Sequence, residues 1–175
     1  MRKVTRAALA LAGSAALIGV ATVPSFAADT TTTVVVPAGV LSITAPATAT
    51  LVTAAVAPGA DSSVTLGATK VTDERAGTAG WIATVSLPVL SDSATTPKTI
   101  PTTSATYLAA TATLTGAPTV AAPSTVTGLS TAKTSQSATA VSGNNTASWT
   151  ATLTVPIPAQ ALASTYTGTM TQSVS

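Results

Sequence analysis

The chain has 175 residues with a charged fraction of only 7%, and it contains neither histidine nor cysteine. Without these residue types it lacks the usual general base near neutral pH, the thiolate nucleophile and most transition-metal ligands. Disulfides are excluded as well, so the fold must be stabilised by a packed core. We therefore predict that the protein is not an enzyme and has no catalytic residue, no metal site and no cofactor.

Residues 1–27 have the pattern of a secretory signal peptide. Three basic residues precede an apolar run from Ala7 to Val23, and the small residues Ser25 and Ala27 mark a cleavage site; an uncleaved membrane anchor is the alternative. Cleavage leaves four basic and five acidic side chains, so the net charge changes from +2 to −1. Because the basic excess is then lost, we predict no nucleic-acid partner. No later apolar run reaches the roughly 20 residues of a membrane span.

The remaining residues, 28–175, are predicted to form a single domain of short strands. In residues 149–155, apolar residues alternate with threonine, which places one face of a strand on a core and the other in water. Glycine and proline separate the candidate strands, which are residues 32–36, 39–44, 48–54, 63–71, 81–87, 106–115, 149–155 and the closing segment 166–174. This spacing predicts an all-β fold, an antiparallel, immunoglobulin-like β-sandwich.

Three further segments have the composition of connections. Residues 91–105 and 117–133 are rich in Ser, Thr, Ala and Pro and contain few large apolar side chains. We predict that they form surface loops or short edge strands. Residues 142–145, SGNN, have the composition of a hairpin turn because Gly and Asn tolerate positive φ.

The only two tryptophans of the chain stand in the same local pattern. Residues 78–89 read TAGWIATVSLPV and residues 146–157 read TASWTATLTVPI, with proline seven residues after tryptophan in both. An indole can bury about 150–250 Å², so we predict that Trp81 and Trp149 anchor the core in two equivalent strands. The alternative is that one or both rings lie at a strand end, where they stack on a glycan ring or insert into a partner.

Trp81 is the better candidate for such a binding role. Asp73, Glu74 and Arg75 stand close before it, with Gly77 and Gly80 between the charges and the ring. In a chain with so few charges, this cluster favours a functional turn. A solvated hairpin tip is the alternative.

Residues 71–81, with the pattern V-T-D-x-R-x-G-T-x-G-W, resemble the first signature of the WxL domain, a cell-surface domain of Gram-positive bacteria. The second tryptophan strand and the closing stretch YTGTMT, residues 166–171, resemble the second half of that domain. The resemblance spans about residues 31–175. In place of Trp-x-Leu, the chain reads Trp-Ile-Ala from residue 81 and Trp-Thr-Ala from residue 149.

The resemblance implies a β-sandwich that attaches noncovalently to peptidoglycan or another wall polymer and belongs to a multiprotein surface assembly. It nominates four ligand-binding residues: Trp81, Trp149, Asp73 and Arg75. We therefore predict a secreted, extracellular, cell-wall-associated protein that binds a wall polymer or a surface partner protein.

The alternative function is a self-assembling structural subunit of a surface layer or fibre. Residues 28–36 read ADTTTTVVV, and the part that follows Asp29 is uncharged and β-prone. Such a segment can leave its own sheet and complete the sheet of a neighbouring copy. It also suits the first strand of its own domain.

Overall fold

The computed structural model describes residues 31–51, 56–94, 96 and 98–175. The predicted signal peptide and residues 52–54 of one predicted strand lie outside these residues. Residues Val35–Ser175 form one compact unit, and the described ranges contain strands and no helix. The strands, in chain order, are β1 (Leu41–Thr44), β2 (Asp61–Asp73), β3 (Trp81–Ser86), β4 (Val89–Ser91), β5 (Thr99–Pro101), β6 (Thr106–Ala109), β7 (Thr113–Thr115), β8 (Thr119–Val120), β9 (Thr125–Thr127), β10 (Lys133–Thr139), β11 (Asn145–Pro156) and β12 (Thr171–Val174).

Two antiparallel sheets form a β-sandwich. The larger sheet has the order β1-β2-β11-β6-β9, and β7 pairs with β11 beside β6. The smaller sheet has the order β12-β3-β10-β8, and β4 and β5 form a separate two-stranded ribbon. Every pairing is antiparallel. The prediction of an all-β antiparallel sandwich is therefore confirmed.

The core lies between the inner faces of β11 and β3. In β11 the odd-numbered residues from Asn145 to Val155 are buried, and the threonines between them reach the outer face. In β3, Trp81, Ala83 and Val85 are buried, and Ile82 is 47% exposed on the outer face. The period-two pattern of the sequence thus corresponds directly to the inside and outside of the sandwich.

Strand β11 is the centre of the larger sheet, and its pairing on both sides changes near Trp149. The register between β11 and β2 shifts between Trp149 and Ala151. At the same point the partner on the other side of β11 changes, because β6 pairs with residues 151–154 and β7 pairs with residues 146–148. The predicted single strand 106–115 is consequently two strands.

The predicted hairpin turn at residues 142–145 is a different kind of connection. It joins β10, in the smaller sheet, to β11, in the larger sheet. Gly143 has the expected positive φ of 69°, so the turn residues were identified correctly, but the flanking strands do not pair with each other. The chain crosses between sheets here, since β10 pairs with β3 and β8 whereas β11 pairs with β2, β6 and β7.

Other predicted elements differ in extent. Residues 32–36 and 48–51 adopt no strand, and the closing segment is a strand only over Thr171–Val174. The two Ser, Thr and Pro-rich segments contain short strands of two or three residues, namely β5, β8 and β9, as predicted.

Candidate functional site

The two indoles stack on each other in the core, although they come from different sheets. The ring centroids of Trp81 and Trp149 lie 6.3 Å apart with an interplanar angle of 11°, which is the offset-stacked range for aromatic pairs. Trp81 is 1% exposed and Trp149 is 2% exposed. This burial favours the predicted core-anchor role, and it gives the repeated sequence window a physical role. The role of either ring in ligand contact stays a prediction.

Each indole N–H reaches a buried acceptor, and the two acceptors belong to different networks. Trp81 Nε1 donates to Asn145 Oδ1 at 3.4 Å, whereas Trp149 Nε1 donates to the Tyr107 hydroxyl at 3.1 Å. The Tyr107 hydroxyl in turn donates to Gln172 Oε1 at 3.4 Å, and burial raises the pKa of Tyr107. Trp149 is therefore linked across the core to the last strand of the chain.

The other two predicted site residues, Asp73 and Arg75, form a two-point ion pair. Arg75 donates from Nε to Asp73 Oδ1 at 2.9 Å and from a terminal nitrogen to Oδ2 at 2.9 Å. The same terminal nitrogen reaches the carbonyl oxygens of Ala79 at 3.1 Å and Gly80 at 3.0 Å. Hydrogen bonding from Arg75 holds the pKa of the Asp73 carboxyl below its usual range, although burial acts in the opposite direction.

Asn145 joins this ion pair to Trp81. Its amide nitrogen approaches Asp73 Oδ2 at 3.4 Å and the Gly143 carbonyl at 3.2 Å, and its oxygen accepts the Trp81 indole N–H. Asp73 and Asn145 are 2% and 3% exposed. The structure thus brings three predicted site residues together, Asp73, Arg75 and Trp81, through a fourth residue that the sequence did not indicate.

Three more residues of the 71–81 signature have structural roles in or beside this turn. Val71 is fully buried in the core, and the Gly77 carbonyl accepts the Gly143 N–H at 2.9 Å. A Cβ at Gly80 would lie 2.3 Å from the Ala138 carbonyl oxygen, so β10 leaves room for glycine only. These residues therefore stabilise the connection between β2 and β3 and its packing against the core.

A shallow depression of about 160 Å³ lies beside this turn. Its lining residues are Thr72, Asp73, Glu74, Thr115, Asn144, Asn145 and Thr146. Small-molecule sites usually have volumes of about 300–1,000 Å³, so this depression suits at most a small polar group. The Asp73 carboxylate within it is already occupied by Arg75 and Asn145.

A second buried carboxylate, Asp92, was not indicated by the sequence. Its Oδ1 accepts the Lys98 backbone N–H at 2.9 Å, and its Oδ2 accepts the Ser164 hydroxyl at 3.0 Å. Hydrogen bonding from the Lys98 amide lowers the pKa of Asp92. Asp92 therefore fixes the β4–β5 ribbon to a loop 72 residues away, and no local motif could have revealed that partner.

Hydroxyl side chains predominate on the outer face of the larger sheet, where Leu108 is also 42% exposed. One row across four strands consists of Ser63, Thr154, Thr106 and Thr127, and the Ser63 and Thr154 hydroxyl oxygens lie 3.0 Å apart. Exchanging water for another hydroxyl changes the free energy little, about 0.5–1.5 kcal/mol per hydrogen bond. This hydroxyl row therefore offers a weak driving force for binding.

The most exposed apolar side chains near a strand lie in residues 31–38, here called the arm. Val35 is 81% exposed and Val36 is 74% exposed, and no arm residue lies in a strand. The arm leads into β1 through Gly39, whose N–H donates to the Glu74 carbonyl at 2.8 Å. The prediction that residues 32–36 form the first strand of their own domain is therefore wrong for this structure.

Comparison with protein-family models, with curated proteins and with solved structures found no match. In the ranges that the structure describes, no helix has the length and apolar character needed to cross a bilayer.

Proposed function

We propose that this chain is an exported structural protein of a cell surface, and that it acts by self-association through its arm. The observation that carries the proposal is the exposure of Val35 and Val36 in a β-prone segment without a strand partner. Apolar side chains that are this exposed and adjacent are typical of association sites. The arm is the donor in this proposal, and a sheet edge of a second copy is the acceptor.

The energetics favour the arm over the other surfaces. Full burial of a valine side chain is worth about 1.5–3 kcal/mol, and a donated strand adds main-chain hydrogen bonds at a sheet edge. The hydroxyl rows of the larger sheet supply neither of these terms. The tryptophans are already buried in their own domain and would have to leave the core to contact a partner.

The proposal is tested by sedimentation velocity of the exported protein, residues 28–175, over a wide concentration range. The key variant is V35T combined with V36T, because threonine keeps the β-branched shape and the strand propensity but replaces a methyl group with a hydroxyl. We expect oligomers of the parent protein that grow with concentration and a monomeric double variant. The control, V35I combined with V36I, keeps the arm apolar and should assemble.

Two results would contradict self-association through the arm. One is a parent protein that stays monomeric at every concentration. The other is a threonine variant that assembles as well as its parent, which would move the association to another surface.

Wall attachment is the second candidate function, and the continuous network around the WxL-like signature favours it. In this proposal the depression beside Asp73 takes one small polar group of peptidoglycan or of another wall polymer. Trp81→Ala is a poor test because loss of a buried ring disrupts the fold as well as any site. Glu74 and Thr115 are exposed at the depression and provide better variants.

Cosedimentation with isolated Gram-positive cell walls tests this second candidate. The parent protein should pellet with the walls, and Glu74→Gln combined with Thr115→Val should remain in the supernatant. Equal pelleting of parent and variant would exclude the depression as the contact. Absence of pelleting for the parent would exclude wall attachment.

A further inference from the structure

The two sides of the sandwich differ in how their sheet edges are protected. On one side the sheets end at β8 and β9, strands of two and three residues, preceded by Pro118 and Pro123. On the other side they end at β1 and β12, strands of four residues whose ladders continue to Gly39 and Ser175. Natural sheets protect their edges with short strands, prolines or charges, so the β1 and β12 side is the less protected one.

The sequences of these two edge strands contain none of the usual protecting residues. Strand β1 reads LSIT and β12 reads TQSV, without charge or proline. Among the described strands, β1 pairs only with β2 and β12 pairs only with β3. Both therefore present one unpaired row of backbone groups.

The hydrogen bonds at the end of β12 identify which of its residues face outward. Ser175 and Ile82 exchange two backbone hydrogen bonds, of 3.0 and 2.9 Å. In an antiparallel ladder such pairs alternate with non-bonded pairs. The N–H and C=O groups of Val174 and Gln172 consequently point away from β3, toward the open edge.

Incompletely covered apolar side chains lie at this edge. Leu41 and Ile43 on β1, and Met170 and Val174 at β12, are half-buried and pack against the core. Strands β1 and β12 contact each other across the sandwich. The smaller sheet is four strands wide, whereas the larger sheet has five in its main order, so one more strand beside β12 would extend the smaller sheet past the half-buried side chains at this edge.

We propose that the open edge of β12 accepts the arm of a second copy of this chain; this rests on the proposed self-association and names its acceptor. In a donated strand, Val34 and Val36 share one face and Val35 takes the other. The former pair covers the half-buried side chains at the edge, and the strand pairs with the outward groups of Val174 and Gln172. Donor and acceptor are different surfaces, so the contact is heterologous and builds either open chains or closed rings of subunits.

Disulfide trapping tests the acceptor directly, because the natural chain has no cysteine. One exported protein carries Val35→Cys, and a second, tagged to differ in mass, carries Ser173→Cys. The Ser173 side chain lies on the outer face, where its hydroxyl is 2.8 Å from that of Thr84. Val35 would share that face in the donated strand. The matched control places the acceptor cysteine on β1, the edge strand of the larger sheet, as Ser42→Cys.

Under mild oxidation we expect the mixed disulfide between the Val35→Cys and Ser173→Cys proteins, and little of it with the Ser42→Cys protein. A mixed disulfide with Ser42→Cys alone would overturn the β12 assignment while leaving self-association through the arm in place. A protein that neither cross-links nor sediments as oligomers would overturn both proposals.

A proline variant provides a test without cysteines. Val174→Pro removes an outward N–H that β3 does not use, and proline is tolerated at sheet edges. We expect it to weaken self-association by about tenfold, the effect of losing one hydrogen bond, with the unfolding transition of the monomer retained. Parent-like association of this folded variant would exclude β12 as the acceptor.

Discussion

The tryptophan pair and the arm lie at opposite extremes of exposure. Trp81 and Trp149 are 1% and 2% exposed, whereas Val35 and Val36 are 81% and 74% exposed. From the sequence alone the rare aromatic residues are predicted core anchors that the family resemblance also nominates for ligand binding, and the valines suit an ordinary first strand. The structure assigns the aromatic rings to the core and leaves the valines available. The comparison teaches that scarcity in composition does not identify a contact surface, because a core short of large side chains needs its few aromatic rings for folding.

The largest expected effect of a single change concerns the tryptophan pair. Trp81→Ala should lower the free energy of unfolding by about 3–5 kcal/mol, since it leaves a cavity against Trp149 and an unpaired Asn145 oxygen. Urea denaturation, monitored by circular dichroism, measures this loss of stability. The control is Ile82→Ala, a neighbour on the outer face, for which about 1 kcal/mol or less is expected. Similar losses for both would contradict the core role of Trp81.

A smaller loss is expected at the turn that seals the tryptophan pair. Asp73→Asn removes the negative charge to which Arg75 donates two hydrogen bonds. Because buried donors then lack a matching acceptor, the free energy of unfolding should fall by about 1–3 kcal/mol. Asp61→Asn, at the exposed start of the same strand, should change the free energy of unfolding by about 0.5 kcal/mol or less. Equal stability of the two variants would show that the network around Asp73 does not support the fold.

The same network predicts how stability depends on pH. The folded-state pKa values of Asp73 and Asp92 are lowered, so the ionised carboxylates stabilise the fold above the unfolded-state pKa of about 3.9. This stabilisation is lost as pH falls through the folded-state values. The free energy of unfolding should therefore be level from about pH 5 to 7 and decline in acid. Asp73→Asn should decline less steeply, and a slope equal to the parent's would contradict the assignment.

The smallest effect on stability is expected in the arm. V35T combined with V36T should leave the free energy of unfolding of the monomer within about 0.5 kcal/mol of the parent, because these side chains contact little of their own domain. The variant should nevertheless lose self-association. A loss of several kcal/mol in urea denaturation would instead make the arm part of the domain's own packing.

The period-two pattern predicted the fold class because alternation of apolar residues with threonine is itself the physical cause of a two-faced strand. It also predicted that the two tryptophans occupy equivalent core positions. The pairing partners of the strands could not be predicted from the sequence. For example, β10 and β11 flank turn-forming residues and yet belong to different sheets. The absence of a strand in residues 31–36 was likewise not predicted, because β-propensity alone does not supply a pairing partner.

The candidate site was predicted in part for the same reason. Asp73, Arg75 and Trp81 lie within nine residues of each other, and their proximity was visible as a cluster. Asn145 reaches Asp73 across 72 positions, and Ser164 reaches Asp92 across the same separation. Contacts at that range follow from how the sheets pack, so only the structure reveals them.

Hydrogen–deuterium exchange of the exported protein at low and high concentration tests the central comparison most directly. The account predicts that the strands of Trp81 and Trp149 are protected at both concentrations, whereas amides of the arm and of Gln172 and Val174 gain protection only at high concentration. An arm that exchanges freely at every concentration, or added protection confined to the turn at Asp73, would contradict the account.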